Sequence, residues 1–224
     1  MNNRVMGSIS LFLALLVCVG SWWCAAASDR HENCEYWAST GECEANPNYM
    51  LDYCAEACAR YTDTKITTYN SFYDIVERDM NGNEIKFSDF EGKVVYLVNT
   101  ASYCGYTKSN FELLQKLGKY QDDGLVLIVA PCNQFGNQEP GTPEAIKEFA
   151  ETNGYSGIIL SKGDVNGHNT RPSFRYLKYI TGKNNIVWNF DGKFVIDKKG
   201  EALLVDENAD IETLIIQLLG PGEL

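Results

Sequence analysis

Two uninterrupted apolar runs constrain this chain most: Val94-Val95-Tyr96-Leu97-Val98 and Leu125-Val126-Leu127-Ile128-Val129-Ala130. Between them Phe111, Leu113, Leu114 and Leu117 recur at helical spacing. A strand that does not alternate is covered on both faces. Strand, helix and strand of these lengths predict a right-handed parallel crossover. The chain is therefore committed to an α/β sandwich. An entry hairpin is expected within residues 65–91, around Asn81-Gly82, and a helix over 108–120 closes through Asp122-Asp123-Gly124. A second helix is expected from Pro143, a first-turn proline, to about Thr152. A short strand at 158–160 and a helix at 172–180 follow. Runs 186–190 and 194–196 flank Asp191-Gly192 and read as a second hairpin. Ile211, Leu214, Ile215 and Leu218 give a closing helix one apolar face.

Cys104 stands where the first buried run ends and the helix begins. A thiol there lies near the free N–H groups at a helix start, a position that favours anions and makes cysteines reactive. The pattern predicts a three-layer sandwich of thioredoxin type. Yet Cys104-Gly105-Tyr106-Thr107 puts threonine where a Cys-x-x-Cys motif has its second thiol, so a dithiol exchange enzyme is not expected.

The chain start reads as a secretory leader over 1–27: Arg4, an apolar centre at 11–19, and Ala25-Ala26-Ala27 before a cut at Ser28. The alternative is a signal anchor, because residues 5–27 carry no charge and could span a bilayer. A formal charge of −11 sets the surface against phosphate backbones, so no nucleic-acid partner is expected. Of eight cysteines, Cys34, Cys43, Cys54 and Cys58 crowd into residues 28–64. So short a segment cannot bury enough to fold without cross-links. Four cysteines allow three pairings, and a zinc site suits an oxidising compartment poorly.

Cys34-x-x-Trp37-Ala38, Gly41-Glu42-Cys43, Asn46-Pro47-x-Tyr49-Met50 and Cys54-x-x-x-Cys58 resemble the ShK-toxin-like (ShKT) domain. The resemblance implies bridges Cys34–Cys54 and Cys43–Cys58. The family's third bridge is missing, its cysteines being absent near Ala27 and Tyr61. Relatives that block channels use a lysine, and residues 28–64 have none. A docking or spacer module with an unknown protein partner is expected.

A single thiolate at a helix start can attack a peroxide and become a sulfenic acid. Amide and indole N–H donors suit the leaving oxygen, since they do not compete as nucleophiles. With only His31 and His168 in the chain, a Cys–His protease pair has thin support, and His168 reads as an exposed loop residue. Asn99-Thr-Ala-Ser-x-Cys104-Gly, Pro131-Cys-Asn-Gln-Phe-Gly-x-Gln138-Glu, Asp164-Val-Asn-Gly and Trp188-Asn-Phe190 stand in the order of the glutathione peroxidase family, which residues 65–224 resemble in its cysteine form. The resemblance implies a tetrad of Cys104, Gln138, Trp188 and Asn189, with Gln134 and Asn133 supporting the loop and Thr107 and Asn110 shaping the pocket. It implies no bound cofactor, a hydroperoxide substrate, and glutathione or another thiol as reducing co-substrate. Residues 148–154 lack the resolving cysteine that many relatives carry, which points to a monothiol cycle. Cys132 is the fallback resolver, expected instead to pack behind its strand. A short 180–186 segment, without the insertion used for tetramer contacts, implies a monomer. The expected product is a secreted or secretory-pathway peroxidase. A secreted peroxide sensor that oxidises a partner protein's thiol is the alternative.

Overall fold

The computed structural model describes residues 29–58, 69–167, 169–206 and 209–220. The leader, His168 and the 64/65 boundary lie outside the described residues. In the larger unit β1 (Val76–Arg78) and β2 (Glu84–Lys86) form the entry hairpin. Its connection is five residues, because the Asp79 carboxylate accepts the N–H groups of both Asn81 and Asn83 at 2.8 Å. The main sheet has the order β5-β4-β3-β6-β7, with β3 (Val94–Thr100), β4 (Leu125–Pro131), β5 (Ile158–Ile159), β6 (Lys193–Ile196) and β7 (Ala202–Leu204). The pair β3–β4 is parallel, as the crossover requires, and β6 runs antiparallel to β3.

Every residue of β3 is buried, so the sheet carries a core on each face. Val94, Tyr96 and Val98 face Phe111, Leu114 and Leu117 of α4 (Thr107–Leu117) and Ile211 and Ile215 of α7 (Ile211–Leu219). Ala150 of α5 (Pro143–Thr152) joins that side. Val95 and Leu97 face Phe174 and Leu177 of α6 (Pro172–Thr181), with Phe72, Ile75 and Phe87. Each such large side chain contributes about 1.5–3 kcal/mol by leaving water. The result is a thioredoxin-like three-layer sandwich.

Two expectations need correction. The helix over 108–120 is α4 followed by a 3₁₀ turn, Gly118–Tyr120. Residues 186–190 are not a strand. The first two N–H groups go to side chains instead: Ile186 to Asn166 Oδ1 at 3.0 Å and Val187 to Asp191 Oδ2 at 2.8 Å. Phe190 then turns at φ 63°, which breaks extended backbone. The second hairpin is β6–β7, closed by the Asp197 carboxylate over Lys199 and Glu201.

The hairpin is locked to α6 by a buried ion pair. Glu77 on β1 and Arg171 are 7% and 6% exposed. Arg171 Nε and Nη2 donate to the two carboxylate oxygens at 3.2 and 3.0 Å, and Ser173 adds its N–H at 3.0 Å and its hydroxyl at 2.8 Å.

The N-terminal unit holds α1 (Cys34–Thr40), α2 (Glu42–Ala45) and α3 (Pro47–Tyr53), with bridges Cys34–Cys54 and Cys43–Cys58. Gly41, at φ 95°, makes the left-handed turn between α1 and α2. Its core is little more than Ala38, Met50 and Ala57 around the cystines, so the cross-links carry much of its order.

Candidate active site

Register brings three loops to one edge of the sheet. Thr100 of β3 pairs with Pro131 of β4, and Val98 pairs with Lys193, where antiparallel β6 begins. The segments after β3, after β4 and before β6 therefore open together. This is the edge at which α/β sheets usually hold their ligands.

Cys104 lies in the turn between β3 and α4, 9% exposed, in the core cluster that includes Phe111 and Phe190. Thr107 holds that turn. Its Oγ1 accepts the Cys104 N–H at 3.1 Å and its hydroxyl donates to the Ala101 carbonyl at 2.6 Å. The residue that replaces a second thiol thus staples the turn, while Asn110 lines the adjoining groove. From the loop after β4, the Gln138 carbonyl accepts the Tyr103 N–H at 3.0 Å, which sets Gln138 beside the cysteine turn. Gly136 and Asn137, at φ 63° and 52°, fold that loop back.

The third loop brings Trp188 and Asn189. Asn189, 3% exposed, donates from Nδ2 to Gln138 Oε1 at 2.8 Å. Its own Oδ1 is buried and has no hydrogen-bond partner. Buried acceptors are rarely left so. Trp188 is 41% exposed, with its ring 6.0 Å from that of Phe135. A groove of about 830 Å³ begins at this wall, lined by Tyr106, Asn110, Val187, Trp188, Asn189 and Lys193. The structure thus joins Gln138 to Asn189 directly and brings the Cys104 turn to Gln138 through main chain. Gln134 and Asn133 support the loops: Gln134 Oε1 accepts from Val165 and Asn166, and Asn133 Oδ1 accepts the Glu139 N–H at 2.8 Å.

Cys132 is fully buried in the cluster on the opposite face of the sheet from Cys104. Burial pushes its thiol up, against the main-chain N–H groups of Gln134 and Val165.

Asn99 has a function here that the motif alone did not reveal. It is a fully buried amide ending an apolar strand. Its Nδ2 donates to the Trp188 carbonyl at 3.0 Å, its Oδ1 accepts from Gly192 at 2.8 Å, and its carbonyl accepts from Phe190 at 3.0 Å. Gly192 permits that approach, since a Cβ there would lie 2.6 Å from Phe174. A polar residue inside a buried strand must find partners, which was the signal available. Asn99→Ala leaves the buried Gly192 N–H unmet, at about 1–3 kcal/mol, and frees the part-buried Trp188 carbonyl. We expect a lower urea midpoint and Cys104 oxidation slowed about ten-fold or more by stopped flow, as the Trp188–Asn189 turn loosens.

Residues 72–178 match the family model for glutathione peroxidase, and residues 23–60 match that for ShK domain-like segments. Over 138 residues the chain is 45% identical to glutathione peroxidase-like peroxiredoxin 2 of Saccharomyces cerevisiae, covering 59% of this chain and 85% of that protein. Over 136 residues it is 44% identical to the glutathione peroxidase homolog BsaA of Bacillus subtilis, covering 58% and 84%. Among solved structures it is similar to GPX1 of T. cruzi, with TM-score 0.53 and 27% identity over 69% of this chain and all of that one. The apo form of Trgpx gives TM-score 0.52 and 31% identity, covering 67% and 95%.

Proposed function

The chain belongs to the glutathione peroxidase family of oxidoreductases, and from that membership we propose a monothiol peroxidase cycle centred on Cys104. The thiolate sulfur attacks the terminal oxygen of a hydroperoxide. The O–O bond breaks, the leaving oxygen departs as water or an alcohol with a proton, and Cys104 becomes a sulfenic acid. The amide groups of Gln138 and Asn189 and the Trp188 indole N–H hold the attacked oxygen pair. One thiol, glutathione or another, then attacks the sulfenic sulfur and releases water. A second thiol attacks the reductant sulfur of that mixed disulfide, Cys104 leaves as the thiolate, and the two reductant molecules depart joined as their disulfide.

The observation that carries this reading is the buried, unpartnered Asn189 Oδ1 on an amide already bonded to Gln138. A hydroperoxide O–H is a donor of the required kind. A charge of −11 disfavours anionic lipid surfaces, so hydrogen peroxide and small organic hydroperoxides are the proposed substrates. Two cystines in the N-terminal unit support a secretory address, since such bridges persist in oxidising compartments. The reading keeps the partition of the chain into a leader at 1–27, a ShKT-like module at 28–64 and a peroxidase domain at 65–224.

Oxidation of the purified protein with one equivalent of hydrogen peroxide, followed by dimedone trapping and mass spectrometry, tests the cycle. The adduct is expected on Cys104, with Cys132 unmodified. A Cys104–Cys132 bridge would replace the monothiol cycle with an internal one, and an unmodified Cys104 would end the reading.

A further inference from the structure

Glu139 follows Gln138 directly, yet it is 1% exposed. Glutamate is almost never buried so completely unless it is paired. The Lys162 ammonium does not supply the pair. It bonds the main-chain carbonyls of Glu139 at 3.3 Å and Gly141 at 2.8 Å. The carboxylate Oε1 instead accepts the Ser102 hydroxyl at 2.8 Å. Ser102 lies two residues before Cys104, and the intervening Tyr103 N–H bonds the Gln138 carbonyl at 3.0 Å. Residues 102–103 and 138–139 thus run side by side, fastened at successive residues. On its other flank the Glu139 main chain is pinned by Asn133 Oδ1 at 2.8 Å.

We propose that Glu139 is a positioning residue for the peroxide step, a buried carboxyl that keys the turn carrying Cys104 to the loop carrying Gln138 through the Ser102 hydroxyl. The inference rests on the peroxidase reading above and deepens it. A purely structural role is served more cheaply by an apolar side chain, since a buried carboxyl loses hydration that its few partners only partly replace. Burial pushes the Glu139 carboxyl up, against the Ser102 hydroxyl and main-chain N–H and the Lys162 ammonium. What the carboxyl supplies in return is a directional acceptor one residue from Gln138. Nucleophile and donors must be set to within a fraction of an ångström, and a displacement of about 1 Å costs about 10²-fold. The main-chain bond from Tyr103 fixes the spacing of the two segments. The Ser102–Glu139 bond adds the second point that stops one from rotating about the other.

The test uses the full chain with Ser102→Ala, Ser102→Thr, Glu139→Leu and the double variant Ser102→Ala/Glu139→Leu. Two rates are measured: Cys104 oxidation by hydrogen peroxide, and reduction of the sulfenic form by glutathione. Ser102 is only partly buried, so its variants keep the test alive if Glu139→Leu does not fold. Ser102→Ala is expected to slow oxidation about ten-fold or more while reduction changes less than about three-fold. Ser102→Thr, which keeps the hydroxyl, restores oxidation to within about three-fold, and the double variant is no slower than the worse single, as coupled residues require. Oxidation of Ser102→Ala at the wild-type rate, failure of Ser102→Thr to rescue, equal slowing of both steps, or additive losses in the double variant would each overturn the proposal. Wild-type protein that forms no sulfenic acid at Cys104 would instead remove the peroxidase reading, a different failure seen before any variant is compared.

Discussion

Cys104→Ser is expected to lower peroxide consumption with glutathione by at least about 10³-fold, because no other group in the site can form the sulfenic intermediate. Serine keeps the shape of the turn, and the Thr107 bonds that hold it are to main chain, so the variant should melt with the wild type. Cys132→Ser is the matched comparison. It removes the other described thiol that is not in a bridge, and its turnover should stay within about two-fold of wild type, since it packs across the sheet from the reaction. Loss of activity in both variants would reinstate a two-cysteine cycle. Loss in neither would mean that the sulfur of Cys104 is not the nucleophile.

The second large effect concerns stability. Glu77→Ala strips one partner from a buried fork and leaves the Arg171 guanidinium, 6% exposed, without its carboxylate. Breaking such a pair from one side costs about 3–5 kcal/mol. At about 2–4 °C per kcal/mol for a domain of this size, the melting temperature should fall by about 6–20 °C. The paired replacement Glu77→Met/Arg171→Met should cost less than Glu77→Ala alone, because it leaves no charge behind. Guanidinium denaturation of the three proteins reads this directly. A single-variant loss below about 1 kcal/mol would show that solvent reaches the arginine and that the fork does not lock the hairpin to α6.

Local sequence carried those elements whose hydrogen bonds and burial are settled locally. The runs at β3 and β4 are long, apolar and bounded by turn residues, so strand, direction and burial followed together. Helix α5 announced itself through Thr142 and Pro143, and Thr142 Oγ1 does accept the Ala145 N–H, at 3.3 Å. Residues 186–190 misled because Ile186-Val187-Trp188 imitates a strand. What fixes them are side chains distant in sequence, Asn166 and Asn99, together with the nearby Asp191. β7 was missed for another reason: three residues, two of them exposed leucines, give no periodic signal. At the site, motif residues that could donate to a peroxide were legible as chemistry. The amide, hydroxyl and acid that aim them, Asn99, Ser102 and Glu139, were not. Their importance lies in which partner they meet, and no spacing rule encodes a contact between the ends of two different strands.

The placement of Cys104 and Cys132 on opposite sides of a five-stranded sheet has a consequence for how long the oxidised protein survives. On the proposed cycle, that wall of backbone leaves the sulfenic acid without a second thiol of its own domain to take over the oxidising equivalent. The clock is then external: the supply of small thiols sets how soon the sulfenic acid is quenched. Where that supply is lean and peroxide abundant, a second oxidation to the irreversible sulfinic acid overtakes repair, and each molecule records its exposure only once.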